Sequence, residues 1–324
     1  MTSYLLLLAP SANRVYAEQA PALAAAELRL LCPEVTAVAP VQVAGVDYLA
    51  LEAPEQPALG TMSSRFALFR REGDLLAPVP VHVPDVLDDD LVSIPKYPGK
   101  TNEQLTRLLL NVTLAAVDRA PGPRRVLDPM CGRGTTLTTA LTLGHDATGV
   151  EQDEKALDAT AAFLKTYLRR KRLKHRADVT PVRRDGRKVG RRLDVEVTPA
   201  ERTQTLSILS GDGRRSAELL GKRKFDAVVT DAPYGVVHGG HTGEGRERSP
   251  EALLREALPV WAGQLVGGGA LGIAFNTLTL PRATLAAITR DAGLDVRDDG
   301  PWLDLAHRVD ASIHRDVLVA TRPT

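Results

Sequence analysis

From residue 101 onward, short apolar runs alternate with segments of helical pattern. The apolar runs are R-R-V-L-D-P-M (124–130), A-T-G-V-E-Q (147–152), T-L-S-I-L-S-G-D (205–212), F-D-A-V-V-T-D (225–231), G-A-L-G-I-A-F-N (269–276) and R-D-V-L-V-A-T (315–321). Continuous apolar strands separated by helices are typical of a mostly parallel sheet that is covered on both faces. Because ligands bind such sheets beyond the carboxyl ends of the strands, the residues that end each run are candidates for a site.

The first 77 residues have a different organisation. Y-L-L-L-L-A (4–9) predicts a strand, A-L-A-A-A-E-L-R-L-L (22–31) a helix and R-F-A-L-F-R-R-E-G-D-L-L (65–76) a hairpin. Prolines at positions 80, 84, 95 and 98 then predict an extended linker, since proline fixes φ and removes a backbone donor. We therefore predict a small α+β domain of ferredoxin-like type over residues 1–90 and an α/β domain over residues 91–324.

The composition limits the classes of protein to consider. Lys and Arg (41) balance Asp and Glu (40), so the net charge of +1 gives no global argument for a nucleic-acid partner. The two cysteines, Cys32 and Cys131, cannot form a disulfide framework, which suits a reducing cytosol. No apolar run approaches the roughly 20 residues that span a bilayer, and the apolar start of the chain has no basic region before it. We predict a cytoplasmic protein with no membrane partner.

A glycine-rich turn follows the first strand of the larger domain. In V-L-D-P-M-C-G-R-G-T-T-L (126–137), Asp128 ends the strand, and Gly132 and Gly134 precede a helix. Glycine permits the tight turn and the close approach of a ligand that a β-carbon would block. A dinucleotide-binding fold also fits this pattern, but Leu137 occupies the position of the third glycine of that fingerprint.

A second motif, T-D-A-P-Y-G (230–235), sharpens the interpretation. Together with D-P-M-C-G-R-G-T it resembles motifs one and four of the S-adenosylmethionine-dependent amino-methyltransferases. Within that superfamily, residues 95–324 are most similar to the tRNA guanosine-10 N2-methyltransferase family of archaea and eukaryotes. The resemblance implies a Rossmann-like class I methyltransferase domain with a seven-stranded, mostly parallel sheet, S-adenosyl-L-methionine as cofactor and tRNA as substrate. That family carries a longer N-terminal RNA-binding module, called THUMP, than residues 1–90 provide.

The resemblance also implies roles for the residues at the strand ends. Asp128 would hold the amino group of the cofactor, Glu151 both ribose hydroxyls and Asp212 the adenine amino group. An ordinary loop carboxylate is the alternative for each of them taken alone. The full set implied to bind the cofactor is Asp128, Pro129, Cys131, Gly132, Gly134, Thr135, Glu151, Gln152, Asp212, Gly213 and Asp231. No metal is expected.

The motif T-D-A-P-Y-G has a chemical rationale. An exocyclic amine is a poor nucleophile because its lone pair is delocalised into the base. The Asp231 carboxylate and the Ala232 carbonyl would accept its two N–H groups, while Pro233 stiffens the turn and Tyr234 stacks on a base that has left its helix or loop. Ala232 departs from the proline usual in the family. The alternative is a strand that ends in a turn with a packed tyrosine.

Three further features near these motifs are weaker. Thr101 is a plausible helix cap, and its neighbours Lys100 and Asn102 are candidates for closing over the cofactor; a capped surface helix is the alternative. Cys131 has no evident base nearby, so we expect it to pack beneath the turn and not to act as a nucleophile. His238 lies in a glycine-rich segment that we predict to be a lid over the base pocket; H-x-x-H with His241 could instead bind metal, but no third ligand is apparent.

A basic insertion at residues 165–204 is the predicted substrate contact. A neutral protein that concentrates positive charge in one segment has a footprint for phosphates, although a solvated surface is the alternative. We assign the substrate-binding role to Arg169, Arg170, Lys171 and Arg172, together with His238. The cations of the insertion are Lys165, Arg169, Arg170, Lys171, Arg172, Lys174, Arg176, Arg183, Arg184, Arg187, Lys188, Arg191 and Arg192.

Four functions are compatible with these features. The leading one is methylation of guanine N2 in tRNA. The alternatives are a DNA adenine-N6 or cytosine-N4 methyltransferase, a non-catalytic RNA-binding protein with a methyltransferase fold and, more distantly, an NAD-dependent oxidoreductase. The sequence leaves open whether an activating protein partner is needed.

Overall fold

The computed structural model describes residues 1–11, 14–55, 57–184, 187–233 and 249–324. Tyr234, His238 and His241, which the sequence singled out, lie outside the described residues. The strands are β1 (Thr2–Leu8), β2 (Thr36–Val43), β3 (Val46–Ala53), β4 (Arg65–Glu72), β5 (Leu75–Val79), β6 (Arg125–Asp128), β7 (Asp146–Glu151), β8 (Lys174–Arg184), β9 (Arg187–Thr198), β10 (Gln204–Ser210), β11 (Phe225–Asp231), β12 (Leu265–Asn276), β13 (Asp295–Val296), β14 (His307–Arg308) and β15 (His314–Thr321). The helices are α1 (Arg14–Leu31), α2 (Asp90–Ser93), α3 (Glu103–Ala115), α4 (Thr135–Thr142), α5 (Glu154–Arg170), α6 (Ser216–Leu220), α7 (Pro250–Gln264) and α8 (Arg282–Asp291).

The N-terminal sheet has five strands in the order β2-β3-β1-β4-β5, and every neighbouring pair is antiparallel. The first four strands have the order and directions of a ferredoxin-like unit, with α1 as its first helix. Such a unit has a second helix between its third and fourth strands. In the described residues between β3 and β4 no helix forms, and β5 extends the edge instead.

The larger sheet follows the order β13-β15-β12-β11-β6-β7-β10-β9-β8, with β14 paired to β15. Strands β10, β7, β6, β11 and β12 are mutually parallel, and β15 runs antiparallel to β12. Together with β13 these form the seven-stranded arrangement expected for a Rossmann-like methyltransferase. The described sheet has ten strands because the hairpin β8–β9 extends one edge and β14 is added near the other.

The hairpin β8–β9 occupies much of the basic insertion, for which the sequence predicted no structure. Apolar residues alternate along β9, where Leu193, Val195 and Val197 are buried and their neighbours Asp194 and Glu196 are not. This two-residue period is the pattern of a half-buried strand, and it was available in the sequence. The many arginines of the segment favoured an interpretation based on charge instead.

Helix α1 packs against both sheets. Tyr16 and Leu23 belong to the same core as α3 and the larger sheet, whereas Ala24 and Leu28 belong to the core of the N-terminal sheet. Between these faces lies Glu27, which is fully buried. The division at residue 90 stays a prediction, but α1 is buried on both sides.

The Glu27 carboxylate connects three segments of the chain. It accepts hydrogen bonds from the Ser63 hydroxyl (2.6 Å) and the Asn111 amide (2.7 Å). Burial raises the pKa of this carboxyl above its usual range, and its hydrogen bonds with Asn111 and Ser63 oppose that rise. The network joins α1, the loop before β4 and α3.

Parallel strands bring their carboxyl ends to one edge of the larger sheet. There β6 ends at Asp128, β7 at Glu151 and β11 at Asp231, so the predicted site residues share that edge as the topology requires. Over the part of the chain that is described, no helix combines the length and apolar character needed to cross a membrane.

Candidate active site

Two cavities meet at Asp231. One has a volume of about 550 Å³ and is lined by Asp128, Thr101, Ala232 and Arg315 among others. The second, of about 420 Å³, is lined by Glu151, Gln152, Asp212, Gly213 and Leu253, together with Pro129 and Val150. Met130, Gly132, Asp231 and Pro233 line both cavities. The carboxyl edge therefore offers two adjoining spaces with one carboxylate between them.

The turn after β6 is held in place by contacts with β7. The Cys131 amide donates to the Val150 carbonyl (3.0 Å), and a β-carbon at Gly149 would lie 2.6 Å from Cys131 Sγ. Gly132 and Gly134 have φ of +52° and +80°, in the left-handed region that favours glycine. Gly134 is the cap of α4, whose first helical residue is Thr135.

Cys131 is buried beneath this turn, as expected. Burial raises the pKa of its thiol well above the usual range, and the charges of Asp128 and Glu151 add to the rise. Since the thiolate is the nucleophilic form, this environment disfavours a nucleophilic role.

Asp128 is a buried carboxyl at the end of β6. Its Oδ1 accepts the Met130 amide at 3.1 Å, and its side chain has little contact with solvent. Burial raises its pKa to about 7; hydrogen bonds with Met130, Thr136 and Thr230 oppose the rise, while the charge of Asp231 adds to it. A buried acid of this kind is well placed to bind a cationic group, because a cation relieves the cost of its charge.

Glu151 and Gln152 lie where β7 leaves the sheet. Glu151 Oε1 accepts the Asp153 amide at 2.7 Å, which fixes the carboxylate at the start of α5. Gly213 approaches the first turn so closely that a β-carbon on it would lie 2.0 Å from the Pro129 carbonyl oxygen. Packing between two loops, and not only contact with a ligand, explains glycine at this position.

The Asp212 carboxylate, which we predict to accept from an adenine amino group, has a partner within the protein. Arg214 occupies both carboxylate oxygens: its Nε lies 3.0 Å from each, and its Nη2 lies 2.5 Å from Oδ2. The Arg214 side chain, followed by the Arg214 amide, lowers the pKa of the Asp212 carboxyl. Arg214 also reaches Glu256 at 2.8 Å. The adenine contact stays a prediction, and this ion pair would have to rearrange for it.

Asp231 ends β11, and its Oδ2 is contacted from two sides. The Thr101 hydroxyl donates to it at 2.5 Å, and Nη2 of Arg315 lies 3.9 Å away. Ala232 is buried and its amide donates to the Ala274 carbonyl at 2.9 Å. The first residues of the D-A-P-Y motif are thus anchored to β12, while Pro233 is exposed.

The segment before α3 is placed differently from its prediction. The helix cap is Asn102, whose side chain accepts the Leu105 amide at 3.0 Å, and not Thr101. Lys100 is turned inward and its ammonium bonds the Val92 and Pro95 carbonyls and Glu103. Lys100 therefore fixes the segment, and its charge is compensated within it.

Tyr97 and Arg315 are site residues that the sequence did not identify. The Tyr97 hydroxyl hydrogen-bonds Thr135 at 2.7 Å, and the Arg133 guanidinium lies over its ring, 4.6 Å from the centroid. Arg315 is buried on β15. The only signal for Arg315 was its position at the start of a strand, which in a strand antiparallel to β12 lies at the carboxyl edge.

The basic residues Arg169, Arg170, Lys171 and Arg172 lie at the end of α5 that is remote from Glu151. The 17 residues of this helix span about 25 Å at 1.5 Å each. Lys171 pairs with Asp88 (2.7 Å) and Asp90 (2.6 Å) of the linker. Within the described residues the other three are exposed and have no acidic partner. Their substrate-binding role stays a prediction, constrained by this distance.

The far end of hairpin β8–β9 extends past the carboxyl edge of the sheet. Arg192 pairs with Leu209 near the end of β10, so β9 before Arg192 continues beyond that end. The register of the hairpin pairs Arg183 with Lys188 and Arg184 with Arg187. The hairpin therefore brings basic positions to the side of the sheet that carries Glu151 and Asp231. Among the described residues, no cluster of His, Cys, Asp and Glu could hold a metal ion.

Residues 95–287 match the UPF0020 family, described as an RMKL-like methyltransferase domain. The match covers more than half of the chain, so the protein belongs to this methyltransferase family and uses S-adenosyl-L-methionine as its cofactor. A curated relative, the tRNA (guanine(10)-N2)-dimethyltransferase of Methanothermobacter thermautotrophicus, is 28% identical over 179 residues. That alignment covers 55% of this chain and 39% of the relative, so the chain spans about two fifths of its length.

Two solved structures are similar to this chain. TrmN from Thermus thermophilus has a TM-score of 0.43 and 17% identity, with 88% of this chain and 59% of that chain covered. The 16S rRNA N2 methyltransferase RsmC of the same organism, in complex with AdoMet and guanosine, has a TM-score of 0.38 and 18% identity, with 91% and 60% covered.

The residues at the carboxyl edge fit the cofactor. The buried carboxyl of Asp128 lines the first cavity and the half-buried carboxylate of Glu151 lines the second, and the turn between β6 and α4 has two glycines with positive φ. Gly213 leaves no room for a side chain between its own loop and the turn after β6, and residues of both loops line the second cavity. An amino group, a sugar with hydroxyls and an apolar ring would each find a matching surface there.

Proposed function

We propose that the protein methylates an exocyclic amine of a nucleobase, guanine N2 in tRNA. The observation that carries the proposal is the position of Asp231, a carboxylate that separates two adjoining cavities at the carboxyl edge of the sheet. A methyl donor and a base bound in these cavities would meet beside it. The tRNA guanine-N2 relative supports the choice of base and of nucleic acid.

Asp128, Glu151 and the turn through Gly132 are the residues we assign to the cofactor. S-adenosyl-L-methionine supplies an activated methyl group on a sulfonium. Asp128 would bind the amino group, and Glu151 the ribose hydroxyls in the cavity that both Glu151 and Asp212 line. Apolar side chains of the same cavity, Leu253 and Val150 among them, would cover the adenine.

Asp231 and Ala232 are the residues we assign to the amine. A carboxylate oxygen and a backbone carbonyl that accept its two N–H groups would draw the nitrogen lone pair out of conjugation. The Ala232 amide donates to β12 and the Ala232 side chain is buried, which anchors this residue even though proline is absent at this position. Alignment of the amine with the methyl group supplies most of the rate enhancement; positioning contributes roughly 7–11 kcal/mol in favourable cases.

The base has to leave its stack to enter. The cavity of about 550 Å³ is a size at which ligand sites commonly occur. Extrusion of the base from its stack costs a few kcal/mol, and less for a base in a loop. We propose that stacking on Tyr234 offsets this cost. The exposed cations at the end of α5 and the basic positions at the hairpin end would hold phosphates on either side. The length of α5 is less than one turn of a nucleic-acid helix, which is about 34 Å. The cations at its end therefore lie within one such turn of the carboxyl edge.

The test is direct. The protein is incubated with radiolabelled methyl donor and either total tRNA or genomic DNA, and the products are digested to nucleosides. Label in N2-methylguanosine from tRNA is the expected result, and Asp231→Ala in the same assay gives the background. Label in N6-methyladenine or N4-methylcytosine from DNA would overturn the substrate while keeping the chemistry. Label in neither, with the donor bound, would favour a non-catalytic RNA-binding protein.

A further inference from the structure

Two side chains contact the same oxygen of the Asp231 carboxylate. The Thr101 hydroxyl lies 2.5 Å from Oδ2, and Nη2 of Arg315 lies 3.9 Å from it. The two residues come from opposite ends of the domain, one before its first strand and one on its last long strand. Together they fix the plane of a carboxylate whose side chain is only 20% exposed.

Thr101 is itself rigidly held. Its neighbour Lys100 ties the segment to the Val92 and Pro95 carbonyls, and Asn102 caps α3 directly after it. A hydroxyl held on both sides can act as a fixed donor toward Oδ2. A role for Thr101 in capping is excluded because Asn102 performs it.

Arg315 is held by the end of β12. It lies opposite Asn276 in the β12–β15 pairing, and Asn276 fixes the preceding turn by donating to the Ser312 carbonyl and accepting the His314 amide, both at 3.0 Å. The guanidinium is 8% exposed. The adjacent Asp316 pairs with Arg282 at 2.8 Å instead.

We infer that Thr101 and Arg315 are positioning residues for methyl transfer, which hold Oδ2 of Asp231 and so set the orientation of its carboxylate toward the amine of the base. The inference rests on the proposed function and deepens it. Arg315 also balances the negative charge that Asp231 and the neighbouring Asp128 bring to the ends of adjacent strands. The hydrogen bond from Thr101 selects the orientation of the Asp231 carboxylate.

The experiment compares paired variants in the full-length protein. Thr101→Val removes the donor and keeps the shape, while Thr101→Ser keeps the donor. We expect Thr101→Val to lower kcat by about tenfold to a hundredfold, the range of one hydrogen bond to a charged group. KM for the nucleic acid and the affinity for S-adenosylhomocysteine should stay within about twofold, since valine keeps the shape of the wall of the first cavity and Thr101 does not line the second. Thr101→Ser should restore most of kcat.

Arg315 provides a second, independent pair. Arg315→Lys keeps the charge of an ion pair at 3.9 Å, a contact too long for a hydrogen bond, and should retain more kcat than Arg315→Met by about tenfold. The inference would be overturned if Thr101→Val had the kcat of the wild type. It would also be overturned if Thr101→Val and Thr101→Ser lost kcat equally and Arg315→Lys and Arg315→Met did the same. A merely structural role would lower the thermal midpoint together with kcat in both members of each pair.

A readout without substrate separates this inference from the proposed function. In a crystal structure of Thr101→Val, the Asp231 carboxylate should rotate away from the position it has in the wild-type crystal. If wild-type protein methylates no nucleic acid, the proposed function fails while this comparison still decides the positioning. An unchanged carboxylate in both Thr101→Val and Arg315→Met crystals would overturn it.

Discussion

The Thr101 hydroxyl donates a 2.5 Å hydrogen bond to Oδ2 of Asp231, a residue 130 positions later in the chain. The linker and the segment before α3 thus form one wall of the cavity beside β11. This hydrogen bond joins that wall to the end of β11.

Asp231→Ala should abolish turnover without loss of cofactor affinity. The substitution removes the acceptor of the amine N–H but leaves Asp128 and Glu151, which we assign to the amino group and the ribose of the cofactor, so we expect kcat to fall by at least about 10²-fold. Methyl transfer is measured with radiolabelled donor, and binding of S-adenosylhomocysteine by calorimetry. Retained turnover would show that the catalytic carboxylate is a different residue.

Glu151→Ala should weaken cofactor binding. Charge-assisted hydrogen bonds to two ribose hydroxyls are worth roughly 1.5–3 kcal/mol, so we expect the Kd for S-adenosylhomocysteine to rise by about 10- to 150-fold. Glu154→Ala is the matched control, because Glu154 is exposed on the first turn of α5 and does not line the cavity. Equal Kd values for the two variants would argue against the ribose contact.

Cofactor binding should depend on pH through Asp128. Its carboxyl has a pKa of about 7 because it is buried, so below pH 7 it carries a proton that the amino group of the cofactor must displace. The affinity for S-adenosylhomocysteine should therefore rise with pH from 5.5 to 7 by up to about tenfold per unit. Calorimetry in buffers of different ionisation enthalpy should detect the released proton near pH 6.5.

The same carboxyl predicts the sign of a stability change. In the folded state Asp128 binds its proton more tightly than in the unfolded state, so the free energy of unfolding should fall as pH rises from about 4 to about 7. Asp128→Asn should flatten this fall in urea titrations and remove the proton release on ligand binding. An unchanged pH dependence in the variant would assign both effects to another group.

Gly213→Ala should disturb the cofactor cavity. Its β-carbon would lie 2.0 Å from the Pro129 carbonyl oxygen, a backbone atom, so the two loops must separate. Overpacking of this kind typically costs about 1–3 kcal/mol, and we expect a lower thermal midpoint with weaker cofactor binding. Gly263→Ala in α7 meets nothing within 4 Å and should instead stabilise by up to about 1 kcal/mol. Similar midpoints for the two variants would contradict the steric account.

The cations at the end of α5 should contribute to the salt dependence of RNA binding. Replacement of Arg169, Arg170 and Arg172 by Ala should reduce the slope of log affinity against log salt by up to about three, roughly one for each phosphate contact. Lys171→Ala is the matched control, since Lys171 pairs with Asp88 and Asp90 and should affect stability more than the slope. An unaltered slope in the triple variant would remove these residues from the interface.

The parallel strands were predictable from the sequence because burial on both faces makes them continuous apolar runs, and β6, β7, β10 and β11 all follow that rule. The contacts between residues at the strand ends were not predictable from the sequence. Thr101 and Asn102 are both good caps, and the choice of Asn102 depends on Asp231, which is distant in sequence. The ion pair of Asp212 with Arg214 likewise depends on the turn after β10, whose conformation no local pattern specified.

Helix α1 has a practical consequence for any shortened form of the protein. Its residues Tyr16 and Leu23 cover apolar surface of α3 and the larger sheet, and Asn111 on α3 is paired with Glu27. A chain begun at residue 91 would keep the whole carboxyl edge of the larger sheet. It would, however, expose this apolar surface to water and remove the partner of the Asn111 amide. Solubility, rather than chemistry, should therefore be the first property lost on trimming.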